Sequence, residues 1–373
     1  VAAQSVEPEV VVSGLDFPTG IAFSPDGNSM YVNERAGRVL LVTDDGLQDD
    51  PLATIPTTTA GETGLLGIAV SPDGNDLYLF ASDPGGSSNR VLRVPATGGS
   101  PDVVVDGLPA SLYHNGGGVA FDEDGLLLVS NGEIHDSGAA QNPDVLGGKV
   151  YRFTPEGDAA DNPFGNAIAL GLRNPYGLTV DPFTGDAFVT DNGPSSHDEI
   201  NRIRVGGNYG WPDLLGAAGD ASPSGPGEYY DPITVQEEIV VPTGIAIADD
   251  NAASDARGDL FYGAYGEQTI RRVELDQARE EAVSDEIFVQ ESEPVIALEW
   301  GPRGLYYSTP STIKVIELAA ERERGRDQTP SARDEAADVP PITPDPGTDS
   351  TPLVFLAIGV VIAGAVIAFV ARR

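Results

Sequence analysis

The chain is 373 residues long, has no cysteine, and carries 58 Asp and Glu against 21 Lys and Arg, a formal net charge of −37. A surface so acidic repels nucleic acid and anionic membranes. Without a thiol, neither disulfides nor thiolate nucleophiles and metal ligands are available.

In chain order, VAAQS at the start has the small-residue character left near a processed signal peptide. From there one pattern recurs at a spacing of about 50 to 65 residues. Its copies are FPTGIAFSPDGNSMYVNERAGRVLLV from Phe17 and LLGIAVSPDGNDLYLFASDPGGSSNRVLRV from Leu65. Next come NGGGVAFDEDGLLLVSNGEIHD from Asn115 with GGKVYRF, and NPYGLTVDPFTGDAFVTDNG from Asn174 with EINRIRV. The last are VPTGIAIADD from Val241 with GDLFYGAYGEQTIRRVEL, and PVIALEW from Pro294 with GLYYSTPSTIKVIEL. Each copy has a short apolar run, a tight turn, a run rich in Tyr, Val and Leu, and a third alternating run, the signature of consecutive antiparallel strands.

One such unit cannot bury both of its faces, whereas six stacked radially can. The repeats therefore predict an all-β fold, a six-bladed β-propeller over residues 8–320, with almost no helix. Its innermost strands begin at the G-I-A-F type segments. Glu62, His114 and Arg173, which stand just before such segments, then converge on one mouth of the central channel.

Residues 321–352 change to Pro, Asp, Thr, Arg and Ala, too poor in large apolar residues to offset the cost of ordering. They predict a disordered linker. The run LVFLAIGVVIAGAVIAFVA, residues 353–371, is free of charge and long enough to cross a bilayer as one transmembrane helix. Arg372 and Arg373 after it favour the cytoplasmic side, which leaves the propeller outside the cell membrane. Because arginine nearly replaces lysine, leaving only Lys149 and Lys314, the composition is haloarchaeal-like, resembling proteins of salt-accumulating microbes. In molar salt the Debye length falls to about 3 Å and the self-repulsion becomes tolerable.

Among the candidate site residues, His114 precedes the glycine run HNGGG and has the side chain best suited to move a proton near neutral pH. Arg173, before Asn-Pro at an equivalent place, is poorly explained by packing alone. Asp198 and Glu199 suit either a solvated loop or a metal site, and Trp211 reads as a packing residue. His135 and His197 lie in polar loops with no nameable partner. The glycines at 116–118 lack the strand-to-helix context and the Lys-Ser/Thr of a phosphate loop.

Eight motifs occur in order: GETGLLGIA (61–69), HNGGGVAF (114–121), GGKVYRFTPEGD (147–158), DNPF (161–164), LRNPYGLTVDP (172–182), DNGP (191–194), DEINRI (198–203) and GGNYGWP (206–212). Together they resemble the soluble glucose and sorbosone dehydrogenases that depend on pyrroloquinoline quinone (PQQ), also called aldose sugar dehydrogenases. The resemblance implies a six-bladed propeller in which His114 is the general base on the sugar's anomeric hydroxyl. It implies that Arg173 and Asn174 hold the quinone oxygens, and that the carbonyls of Gly193 and Pro194 bind a calcium ion that clamps the cofactor. Glu62 and Glu133 fall where the family places polar contacts near the substrate. Asp198, Glu199 and the carbonyl of Tyr209 match a second, structural calcium site.

The chain departs from the family where cations meet the cofactor's carboxylates: Gly266, Glu291 and Glu293 stand there, with Arg271 or Arg272 as substitutes nearby, and Gly118 replaces a common arginine. The leading reading is a membrane-anchored, PQQ- and calcium-dependent enzyme that oxidises an aldose to a lactone and passes electrons to an external acceptor. Its rival is a non-catalytic, calcium-containing propeller that binds carbohydrate or protein. A calcium-dependent lactonase would need carboxylates converging on the metal, which DNGP does not show.

Overall fold

The computed structural model describes residues 7–219 and 221–320; the linker at 321–352 and the apolar run at 353–371 lie outside them. Among the described residues no helix is long and apolar enough to cross a membrane. They form an all-β propeller whose strands group into six sheets. The innermost strands are Pro18–Phe23, Leu65–Val70, Val119–Phe121, Pro175–Val180, Pro242–Ile247 and Leu298–Gly301. Each touches the next around a ring, and the sixth touches the first. The ring is closed by the strand Glu9–Ser13, which pairs antiparallel with Thr312–Glu317 at the outer edge of the last sheet. Nothing in the local pattern of Glu9–Ser13 announces that pairing. Among the described residues the one helix is the five-residue Ser137–Gln141.

Period-two alternation explains why the sheets stack. Along Asp76–Ser82, Leu77, Leu79 and Ala81 pack against the first sheet while Tyr78 and Phe80 pack against the third. Likewise Phe188 faces the fifth sheet, and Ala187 and Val189 face the third. Side chains of a strand point alternately to opposite faces, so a strand apolar at every position cements two neighbours at once. One apolar cluster fills the space between each adjacent pair of sheets.

Near the axis the sheets approach too closely for large side chains. A Cβ on Gly67 would lie 2.1 Å from the Gly117 carbonyl, and one on Gly118 would lie 2.4 Å from Leu178 Cβ. Position 118 therefore has no room for the arginine found in the resembling family.

Candidate active site

His114, Arg173 and Glu62 do meet at one mouth of the channel. His114 is backed by Glu133, whose Oε1 lies 2.5 Å from Nδ1, and its Nε2 lies 3.0 Å from Arg173 Nη2. An arginine can only donate, so Nε2 accepts. Nδ1 then carries the hydrogen given to Glu133, an assignment made from the bonding network. The imidazole is thus a neutral tautomer with its basic nitrogen turned to the mouth.

Local backbone geometry holds it there. His114 has φ +58°, a left-handed conformation that a non-glycine residue adopts at a cost of about 1–3 kcal/mol. Its N–H donates to Glu62 Oε2 at 2.7 Å, and its carbonyl accepts from Ile134 N–H at 3.3 Å. Glu62 itself is exposed at the mouth. Its loop is held by Arg35, which donates to the Thr63 and Thr59 carbonyls at 3.0 and 3.1 Å and also to that of Gly61.

Glu133 is not a surface contact. At 2 % exposure it lies beneath the imidazole and also accepts the His135 N–H at 3.1 Å. From this place Glu133 orients His114. The segment carrying it is stitched down by buried Lys149, whose Nζ donates to the carbonyls of Ala139 and Gly147 at 2.8 Å each. Burial lowers the Lys149 ammonium to about 8.

Arg173 is fixed at both ends. Asp191 accepts its backbone N–H at 2.9 Å and that of Asn174 at 2.6 Å, while Asn174 Oδ1 accepts from Gly116 N–H at 3.0 Å. The guanidinium lies over the Trp211 ring, 5.4 Å from its centroid. Its Nη1 donates to the carbonyls of Asn192 and Gly193 at 2.7 and 2.9 Å. Burial pushes Asp191 up to about 6, against the two N–H donors that favour its charge.

Several residues reach this centre unannounced by the sequence. His135 packs edge-on against His114 with centroids 4.3 Å apart, and Tyr113 stacks on His135 at 5.3 Å, so His135 is part of the site wall. Trp211 supports Arg173 rather than only filling space. Asp191 opens the DNGP motif, and that placement was the available signal for its role. His197 stays outside, with Nδ1 2.8 Å from Ser196 Oγ.

Asp198 and Glu199, expected at a second calcium site, both accept from donors within the protein. Asp198 accepts backbone N–H groups from Gly193, Val240 and Val241 at 2.7–2.8 Å. Glu199 accepts from Gly216 N–H at 2.8 Å and Asn201 Nδ2 at 3.0 Å. The two are consecutive in a strand and so point to opposite faces; the Tyr209 hydroxyl bonds to the Arg202 carbonyl and the Arg204 N–H, contacts that do not involve the Tyr209 carbonyl. Among the described residues no group of three or more acidic or histidine side chains could hold a metal. Asp198 and Glu199 thus each anchor backbone N–H groups, on different faces of their strand. The DNGP loop is different in kind. It already presents the carbonyls of Asn192 and Gly193 to a cation, the guanidinium, and such hard oxygens, with Pro194 next in the loop, fit calcium.

For PQQ, a guanidinium, an amide and a neutral imidazole at one mouth fit the quinone end. At the places expected to meet its carboxylates, Gly266 lies exposed in a turn, and Glu291 is tied to Lys314 Nζ at 2.9 Å and to the Tyr307 hydroxyl. Although burial raises the Glu291 carboxyl, Tyr307 and Lys314 together hold it below the usual value. Its charge is met inside the protein, which removes much of the repulsion expected there. Of the nearby arginines, Arg271 is bound to Asp285 and Glu267, and Arg272 to Asp259.

The pattern of the Glucose / Sorbosone dehydrogenase family matches residues 15–313. The chain is 27 % identical over 337 residues to an aldose sugar dehydrogenase of Escherichia coli K12, covering 82 % of this chain and 90 % of that one. It is 29 % identical over 264 residues to quinoprotein glucose dehydrogenase B of Acinetobacter calcoaceticus, covering 59 % of this chain and 55 % of that one. The PQQ-bound structure of an aldose sugar dehydrogenase from Streptomyces coelicolor superimposes with a TM-score of 0.72 at 28 % identity, over 84 % of this chain and 98 % of that one.

Proposed function

The chain belongs to the glucose/sorbosone dehydrogenase family, and from that premise we propose that it oxidises an aldose at the anomeric carbon to the lactone. It is an oxidoreductase of the quinoprotein sugar dehydrogenase kind, with PQQ as cofactor, calcium at the DNGP loop, and an external acceptor for the electrons. The observation that carries the reading is the contact chain Glu133–His114–Arg173 at the channel mouth.

When bound, PQQ supplies the electrophilic quinone that takes up the hydride. The rest falls to side chains of the protein. The sugar's anomeric hydroxyl displaces Arg173 from His114 Nε2, and that nitrogen takes the hydroxyl proton. Glu133 stabilises the imidazolium that forms and keeps the ring from turning. The freed Nη2 of Arg173 then donates to oxygen on which negative charge develops, a role for which a fixed, partly desolvated donor is well suited. The Asn192 and Gly193 carbonyls and the Trp211 ring keep the guanidinium from following the departing imidazole contact. Glu62, exposed beside His114, offers its second carboxylate oxygen to a sugar hydroxyl.

In this proposal the propeller works outside the membrane, anchored by residues 353–371 through the linker at 321–352. Support comes from the uncharged apolar run and the Arg372–Arg373 pair after it. The decisive experiment loads the full chain with calcium and PQQ and follows dye-linked oxidation of a panel of aldoses. Turnover of at least one aldose, dependent on both additions, is expected. Failure to bind PQQ together with no oxidation of any aldose would overturn the reading and favour the non-catalytic propeller.

A further inference from the structure

Each of the six innermost strands is the edge of its own sheet, so one row of its backbone N–H and C=O groups has no partner strand, although the carbonyls of Pro18, Leu65, Pro175 and Thr243 accept from side-chain hydroxyls. These six edges enclose an axial channel of about 70 Å³, room for a few water-sized occupants. Gly20, Gly67, Gly118, Gly177, Gly244 and Ala297 form one tier of its wall. Two residues further along each strand come Ala22, Ala69, Ala120, Thr179 and Ala246, and in the sixth strand Glu299.

Glu299 is the only carboxylate among the residues lining the channel. A sheet position held by small residues in five strands thus carries a charge in the sixth. Among the described residues no guanidinium, ammonium or hydrogen-bond donor meets its carboxylate, the side chain is half-buried against the channel, and desolvation pushes its carboxyl up to about 8. A carboxylate in such a place gains from acquiring either a proton or a counter-ion, because an unpaired and partly desolvated charge is unfavourable. The catalytic proposal makes no use of this group.

We propose that the axial channel binds one alkali-metal cation, held by the Glu299 carboxylate and the unpaired backbone carbonyls of the inner strands. Carbonyl oxygens can replace the hydration shell of such an ion. A single negative charge selects a monovalent ion. A divalent one would leave a net positive charge surrounded by glycine, alanine and backbone, the same penalty with the sign reversed. Occupying the axis would tie six sheets to one centre, so the cation would act on the stability of the ring rather than on turnover.

The test melts the full chain, with calcium constant, in buffers of constant ionic strength in which choline chloride is replaced stepwise by sodium or potassium chloride. The wild type should melt at rising temperature as the small cation replaces choline. Glu299→Gln, and Glu299→Ala as at most equivalent positions, should still melt cooperatively but show no such rise. Crystals soaked in thallium(I), a potassium probe, should show an anomalous peak on the axis beside Glu299 in the wild type and none in Glu299→Gln. A wild type indifferent to the cation, variants that respond as it does, or no axial thallium peak in the wild type would each overturn the proposal. Because none of these readouts uses PQQ or a sugar, they are independent of the proposed catalytic function.

Discussion

His114 Nε2 and Arg173 Nη2 lie 3.0 Å apart, so the atom that would remove a proton and the atom that would stabilise the resulting charge are engaged with each other until a substrate separates them. Replacing His114 by Asn tests this pairing. Asn tolerates the left-handed backbone at this position better than most residues. Turnover of aldose by the PQQ-loaded variant should fall by roughly 10²- to 10⁴-fold, with the melting temperature and PQQ binding little changed. Activity and melting temperature falling in step would instead mark His114 as structural.

Glu133 touches the imidazole and not the solvent. Glu133→Gln should therefore lower kcat by about 10²-fold or more, as when the orienting carboxylate of a histidine base is neutralised, and leave KM nearly unchanged. A steady-state comparison decides the point, since a substrate contact at Glu133 would raise KM instead.

Glu199 faces Asp191 across adjacent strands. Burial first, then the Asp191 charge, raise its carboxyl from 4.5 to about 8. The folded state thus binds a proton that the unfolded chain releases above about pH 4.5. Its stabilising contribution is complete below that pH and is lost as pH rises through about 8. Denaturant melts across this window should show stability falling with pH, and Glu199→Gln should flatten the fall. An unchanged slope in the variant would assign the effect elsewhere.

Phe188 is fully buried between the fourth and fifth sheets. Phe188→Ala should cost about 3–5 kcal/mol, read as a lower midpoint in urea. His114 and Arg173 do not depend on that cluster, so activity per folded molecule should survive.

Membrane attachment is tested by removing residues 353–373. A single apolar span is the strong attachment the sequence offers, so the shortened chain should leave the membrane fraction and keep its activity. Persistence of the shortened chain in that fraction would count against the anchor.

How much of this was legible beforehand differs from residue to residue. The repeat of G-I-A-F segments located the innermost strands, and with them His114, Arg173 and Glu62 at one mouth. Period-two alternation and tight turns are local properties that a linear pattern carries in full. Close approach at the axis left its own trace in the glycines at 67 and 118. The closing strand Glu9–Ser13 left none, because its partner Thr312–Glu317 lies at the far end of the propeller.

The fate of the carboxylates was decided only in three dimensions. Asp198 is consumed by the N–H of Val240, 42 residues away, and Glu133 is buried under an imidazole 19 residues before it. Glu291 is neutralised by Lys314, 23 residues on. A residue's type states what it can bond, but which donor reaches it depends on how neighbouring sheets dock. The sequence by itself therefore determined the strands, the mouth and the candidate base. The tertiary structure alone determined which charges face the ligand and which are spent holding the propeller together, because a buried charge takes whatever partner packing brings within hydrogen-bonding distance.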